Sequence, residues 1–271
     1  MKKISVVLTF TIFCVFTFNV QAGDTSGSCG EHCSWVMDGD TLKLTGYGDI
    51  NGYELYQSPW YPNRNQIKKI VIENESDTNT FKSIGTDSFV AMTKVKEVVL
   101  PEGLEKIGST AFHYASSLEK INFPNSLKQI GSGAFNNTAI TSFVLPENVK
   151  LSNVSLGSDK LESVVISGST ELTESMLKST VYGDWSNLEI PTTLQNIYCE
   201  ATNESCQNLL NSTLGDKVKT YTKDGNRYVV DGQKYRSLSD MQQQKPVKRI
   251  YTVKEANEAS GKKNTVMIRY K

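Results

Sequence analysis

The residues with the sharpest chemistry in this 271-residue chain are five cysteines and two histidines. Cys14 sits in an apolar N-terminal run, which leaves Cys29, Cys33, Cys199 and Cys206. The segment Cys29-Gly30-Glu31-His32-Cys33 gathers zinc-ligand types, but a structural zinc site takes four ligands and only three are local. The other histidine, His113, lies far along the chain. An even number of cysteines in an exported chain favours disulfides, and the sequence-local pairing Cys29–Cys33 with Cys199–Cys206 is the simplest of the possible pairings. Oxidised cysteines leave no thiol nucleophile, and two isolated histidines make no triad. There is no glycine-rich phosphate loop, no His-Glu-x-x-His and no calcium loop. The expectation is therefore no catalytic residues, no metal and no cofactor. Carboxylates are plentiful, and a glycan-processing enzyme would need two of them held a few ångströms apart in a cleft.

The segments that must position any site begin with an address. Lys2 and Lys3 precede an apolar stretch from Ile4 to Val20, and Val20-Gln21-Ala22 offers small residues for cleavage, so residues 1–22 read as a secretory signal peptide. No later stretch is long and apolar enough for a transmembrane segment. The equal totals of 29 basic and 29 acidic residues hide an asymmetry. From Gly23 to Asp216 there are 13 Lys/Arg against 24 Asp/Glu, whereas Lys217 to Lys271 carry 14 against 5. A basic tail on an acidic body either folds back on it or is solvated, or else meets an anionic envelope surface such as lipopolysaccharide or a teichoic acid. It carries no nucleic-acid-binding motif.

Internal repetition is the strongest signal. Val95-x-x-Val98-x-Leu100-Pro101-x-x-Leu104-x-x-Ile107-Gly108-x-x-Ala111-Phe112 returns 23 residues later as Leu118-x-x-Ile121-x-Phe123-Pro124-x-x-Leu127-x-x-Ile130-Gly131-x-x-Ala134-Phe135. Weaker copies open at Ile67, Ile140 and Leu161, and a last one reads Trp185-x-x-Leu188-x-Ile190-Pro191-x-x-Leu194-x-x-Ile197. The first copy is interrupted by an insertion around Asn74 to Thr80. In each unit the apolar-x-x-apolar-x-apolar run predicts a short strand with alternate residues turned inward, ended by proline. Ile-Gly then turns the chain, and Ala-Phe drops an aromatic into the interior from the returning arm. One unit cannot cover its own apolar face, but stacked units can.

These motifs resemble the BspA-like, or Treponema-type, leucine-rich repeat of surface and secreted proteins of bacteria and some protozoan parasites. The stretch Ser26-Gly27-Ser28-Cys29-Gly30, with Trp35, Leu42 to Gly48 and Pro59-Trp60-Tyr61, resembles the cap that often precedes such repeats. Two downstream units lack Ile-Gly and Ala-Phe, and Cys33 is a second cysteine in the cap. The resemblance implies a leucine-rich-repeat solenoid: short parallel strands with irregular or short-helical returning arms, an N-terminal β-hairpin cap and a small α+β C-terminal region. It also implies a binding role, since members of that family are linked to host matrix proteins and to binding between microbes.

The expected layout is a cap over 23–66, about six repeats over 67–197, a C-terminal cap region over 198–238, a linker over 239–247 and a basic strand-helix-strand tail over 248–271. Asp38-Gly39 is a hairpin turn between Trp35–Met37 and Thr41–Leu44, suited to sealing the first repeat. Cys206 to Leu214 reads as a short helix, and Val218 to Leu238 as small strands around Asp224-Gly225-Asn226 and Asp231-Gly232. Between the buried anchors one outward position per repeat gives the row Val71, Val99, Asn122, Val144, Val165 and Glu189. Beside it runs Lys69, Glu97, Lys120, Ser142, Ser163 and Asn187. Strand propensity alone favours valine on an exposed strand. The functional reading is an apolar strip for a protein or glycan partner, with the Lys-Glu-Lys row setting register. The sequence thus points to a secreted or cell-surface binding protein, an adhesin in the broad sense. The competing reading is an envelope component docked through its tail.

Overall fold

A computed structural model describes residues 24–181, 183–237 and 240–241. The expected signal peptide over 1–22, most of the expected linker over 239–247 and the expected tail over 248–271 lie outside the described residues. The cap holds β1 (Ser26–Gly30), β2 (Cys33–Asp38), β3 (Thr41–Gly46) and β4 (Gly48–Ile50). The repeats follow as β5 (Lys69–Asn74), β6 (Phe81–Ile84), β7 (Glu97–Val99), β8 (Lys106–Ile107), β9 (Lys120–Ile121), β10 (Gln129–Ile130), β11 (Ser142–Val144), β12 (Lys150–Leu151) and β13 (Ser163–Ile166). Then come α1 (Glu174–Leu177), β14 (Ser179–Val181), β15 (Asp184–Glu189), β16 (Asn196–Glu200) and α2 (Glu204–Leu210). The strands β17 (Val218–Asp224), β18 (Arg227–Val230) and β19 (Gln233–Tyr235) complete the described chain.

The repeats from β5 to β12 each place one strand in a front ladder and one in a rear ladder, and those of β13 and β16 keep only the front strand. The rear sheet runs β12-β10-β8-β6-β4. The front strands fall into two sheets, β1-β2-β3-β5-β7-β9 and β11-β13-β16-β17-β18-β19. The hairpin expected at Asp38-Gly39 forms, with Gly39 at φ 60°, and β3 then pairs in parallel with β5. The first repeat is therefore sealed by a cap strand that places Leu42 and Leu44 beside Ile70 and Ile72.

Between the ladders runs one column of side chains. Phe112 and Phe135 are both fully buried and stack with centroids 5.5 Å apart and planes 3° from parallel. Phe89 lies 5.2 Å beyond Phe112, and Trp60 lies 5.1 Å beyond Phe89. Backbone bonds fix that register, for Phe89 N–H donates to Ala111 O at 2.8 Å and Phe112 N–H to Ala134 O at 2.9 Å. The same bonds continue from Phe135 to Ser155 and from Leu156 to Met176. The units that lack Ala-Phe thus keep the position and fill it with Leu156 and Leu177, both buried.

Ile-Gly has a second reason besides turning the chain. A Cβ on Gly108 would lie 2.6 Å from the carbonyl carbon of Gly85, and one on Gly131 2.5 Å from Ser109 N. Only glycine lets neighbouring arms approach that closely.

Two expectations fail at the C-terminal end. The run Trp185-x-x-Leu188-x-Ile190 does not enter the front ladder, because β15 folds back antiparallel on β14. The strand that follows β13 is β16, pairing Val164 with Ile197 and Val165 with Tyr198. The run Leu194-x-x-Ile197-x-Cys199 satisfies the same pattern, and all three of its apolar residues are buried, while Trp185 is 44% exposed. Burial decided between two overlapping matches. The ladder also runs on past residue 197, since β17 pairs in parallel with β16 before turning into the antiparallel β18 and β19. The helix begins at Glu204 and ends at Leu210, with the Asn203 side chain accepting from the Cys206 N–H. Cys199 and Cys206 are joined with Cα atoms 6.0 Å apart, which ties α2 to β16, and Cys29 is joined to Cys33 with Cα atoms 5.0 Å apart.

Truncating Phe135 to alanine should cost about 3–5 kcal/mol in denaturant unfolding, the range for deleting a buried phenylalanine. A loss under about 1 kcal/mol on that scale would contradict the column's register.

Candidate functional site

The front ladder obeys period-two alternation. Val98, Leu100, Phe143 and Leu145 are buried, whereas Val71, Val99 and Val144 are half-exposed. Register brings Val71 opposite Val99 and Lys69 opposite Glu97, and Glu97 in turn opposite Lys120. Lys69 and Glu97 form an ion pair at 3.2 Å. Lys120 is exposed and has no ion-pair partner among the described residues.

The front ladder breaks between β9 and β11, which are not hydrogen-bonded to each other. On one side, Asn122 spends its side-chain amide on β7: Oδ1 accepts from Leu100 N at 2.8 Å and Nδ2 donates to Leu100 O at 2.8 Å. Asn122 therefore holds the neighbouring backbone. Across the break the repeats are joined by packing, with the Phe123 and Phe143 rings 5.9 Å apart, and by the Ala139 N–H donating to Leu118 O at 3.0 Å. The opening is a cleft of about 860 Å³ bordered by Val99, Val144, Phe123, Glu97, Glu119 and Lys120.

The strip does not extend over the whole face. Val165 is fully buried, contrary to the expectation that it faces water. It lies in a second apolar cluster with Tyr198, Tyr221, Val230, Tyr235 and Met241, and Val144 packs at its edge. The cause is the chain itself, because β17 to β19 supply that cover. Tyr221 donates its hydroxyl to Ile166 O at 3.0 Å, and burial pushes its phenol up, with Glu200 and Tyr228 adding to the shift. Lys223 reaches Glu147 at 2.9 Å and Glu200 at 3.5 Å, fastening the cover at its edge. Glu189 and Asn187 lie on the β14–β15 hairpin, so they leave the row altogether, and Tyr198 and Asn196 take their places.

A model of the BspA type leucine rich repeat region matches residues 61–182 in six copies. The repeats belong to the BspA type. No curated protein matches the chain by sequence. Among solved structures, a leucine-rich repeat protein from Eubacterium ventriosum is 16% identical, with a TM-score of 0.41, covering 64% of this chain and 55% of that one. The pneumococcal vaccine antigen PcpA is 23% identical, with a TM-score of 0.37, 65% of this chain and 44% of its own. A leucine rich cell surface protein from Faecalibacterium prausnitzii is 16% identical, with a TM-score of 0.35, 80% and 60%. The chain spans about half of the length of the first of these.

Nothing among the described residues gathers three His, Cys, Asp or Glu side chains suited to a metal ion, and no described helix is long and apolar enough to cross a membrane. His32 stacks on Tyr47 at 4.3 Å in the cap. His113 enters a buried polar network on the repeat arms. Its Nδ1 lies 3.2 Å from Asn136 O, and its ring sits 5.4 Å from Trp185. Asn136 Nδ2 donates to Asn137 Oδ1 at 3.1 Å and to Thr180 Oγ1 at 3.0 Å, and its Oδ1 accepts from Thr180 N at 3.0 Å. This chain's β14–β15 hairpin is held to the arms by those bonds.

Burial holds the His113 imidazole below its ordinary value of 6.5, against the opposing pull of Asn136 O, Asp87 and Asp159. Its folded pKa is lower than its unfolded one, so the unfolded chain takes up the proton first and stability falls as pH drops through about 6.5. Melting temperature should therefore decline between about pH 7.5 and about pH 5.5, the range in which only histidine among ordinary side chains titrates. His113→Gln should flatten that decline. An unchanged slope would mean His113 is not held neutral.

Proposed function

We propose that this BspA-type protein is a secreted or surface-displayed binding protein, an adhesin in the broad sense. In this reading it takes a protein or glycan partner on the front face between β5 and β11. The observation that carries the reading is the contrast along one row of side chains. Val165 is covered by the chain's own β17–β19, whereas Val71, Val99 and Val144 keep partial exposure beside an open cleft. Strand propensity explains valine at these positions, but it does not explain a cleft with an apolar wall and a charged rim of Glu97, Glu119 and Lys120. The buried part of the row demonstrates that such a surface accepts an apolar cover. Export fits the basic, apolar, small-residue order of residues 1–22. Catalysis has no such support, and repeats of this kind generally serve binding.

The charge balance favours a second reading. Residues 217–271 carry 14 basic against 5 acidic side chains, which suits retention on an anionic envelope layer through the tail 248–271. Cell fractionation separates the two: free protein in the medium supports the first, and retention that depends on 217–271 supports the second.

Val99→Lys with Val144→Lys should cost about 1 kcal/mol per site, since both positions are only half-buried. Mature protein bearing both changes should be captured about tenfold or more less well by immobilised host matrix or envelope material that retains the unchanged protein. Equal capture by a folded double variant would remove the front face as the site.

A further inference from the structure

A second cleft, of about 750 Å³, lies between the repeat arms and the β14–β15 hairpin. The hairpin is an insertion: successive ladder anchors are 21 residues apart from Phe143 to Val164 but 33 apart from Val164 to Ile197. Extra chain within one repeat commonly maps to a binding loop. From the geometry of this cleft we infer that it binds a neutral saccharide.

The cleft's polar groups are built in two layers. Asn137 is buried and donates through Nδ2 to both oxygens of Asp159, at 3.0 and 3.1 Å, and Ser179 donates to the same carboxylate. Asn137 is itself fixed, for its Oδ1 accepts from Thr180 Oγ1 at 2.7 Å and from Asn136 at 3.1 Å. Asp159 is thus an exposed carboxylate held by buried groups rather than one sweeping through solvent. The outer layer is Tyr114, Ser116, Glu189 and Thr192, which border the same cleft and make no side-chain hydrogen bond among the described residues.

The chemistry of that set selects the ligand. Two carboxylates accept only, while three hydroxyls both donate and accept. Among the described residues no Lys, Arg or His borders the cleft, so an anionic ligand would meet two like charges. A simple cation would answer the carboxylates and leave the hydroxyls unmatched. Ile190, Pro191 and the Tyr114 ring give the apolar wall that the C–H face of a sugar ring needs. A neutral polyhydroxylated ring meets all of these conditions, and the cleft volume lies within the range of small-ligand sites.

The test is retention of the mature full chain on immobilised neutral oligosaccharides, each printed beside its sialylated or sulfated counterpart, with a lysine-rich peptide as a further probe. At least one neutral glycan should be retained, with its anionic counterpart held about tenfold or more weakly. Glu189→Gln and Asp159→Asn should each weaken retention by about tenfold while melting temperature is kept. If Asp159→Asn unfolds the hairpin, the exposed Glu189→Gln alone decides. Retention of no neutral glycan, preference for the anionic forms or the lysine peptide, or normal binding by Glu189→Gln would overturn the assignment. Because the front-face variant is scored separately, failure here is distinguishable from failure of the front-face reading.

Discussion

The column Trp60, Phe89, Phe112, Phe135 is the interaction on which the rest of this molecule depends. A single repeat has two short strands and no closed interior, so its apolar residues are buried only by the units above and below. Planar rings stacked at about one strand spacing meet that demand in the central repeats, and Leu156 and Leu177 meet it where rings are absent. The spacing in turn requires arms close enough that Gly108 and Gly131 admit no side chain. With the column in place, the outward positions Val71, Val99 and Val144 are not needed to fill the interior between the ladders, and that freedom is what a binding face needs.

The chain uses that freedom unevenly. Its C-terminal strands turn back and seal Val165 and Tyr198 beneath Tyr221, Val230 and Tyr235. The cover ends the solenoid at one side, as the β1–β3 hairpins end it at the other. Between these two caps the front ladder is interrupted at β9 and β11, where Asn122 bonds toward β7. Caps at both ends and a break in the middle confine the open apolar surface to the span from Val71 to Val144.

Much of this was legible because it is local. Period-two alternation placed Val98 and Phe143 inward and Val99 and Val144 outward, and the Ala-Phe spacing located Phe112 and Phe135 in the core. Asp38-Gly39, Asp224-Gly225 and Asp231-Gly232 marked real turns through their turn chemistry. What escaped was set by distant residues. Nothing near Val165 reveals that Tyr221, from another strand, will lie over it. Trp185-x-x-Leu188 and Leu194-x-x-Ile197 match the strand pattern equally well, and only the competition for burial against Val164 separates them. Ser155-Leu156 and Met176-Leu177 carry the arm position without its signature, because the column asks for apolar volume rather than for phenylalanine. The polar network around Asn136 was invisible for a related reason: it exists only once the β14–β15 hairpin folds over His113.

The front face is open over its middle and covered by its own chain toward the end. Hydroxyl-radical footprinting of the intact protein, read residue by residue by mass spectrometry, checks this contrast. Labelling of Val99 and Val144 is expected, with Val165 and Tyr198 protected. Labelling of Val165 at the level of Val99, or protection of all four alike, would contradict it.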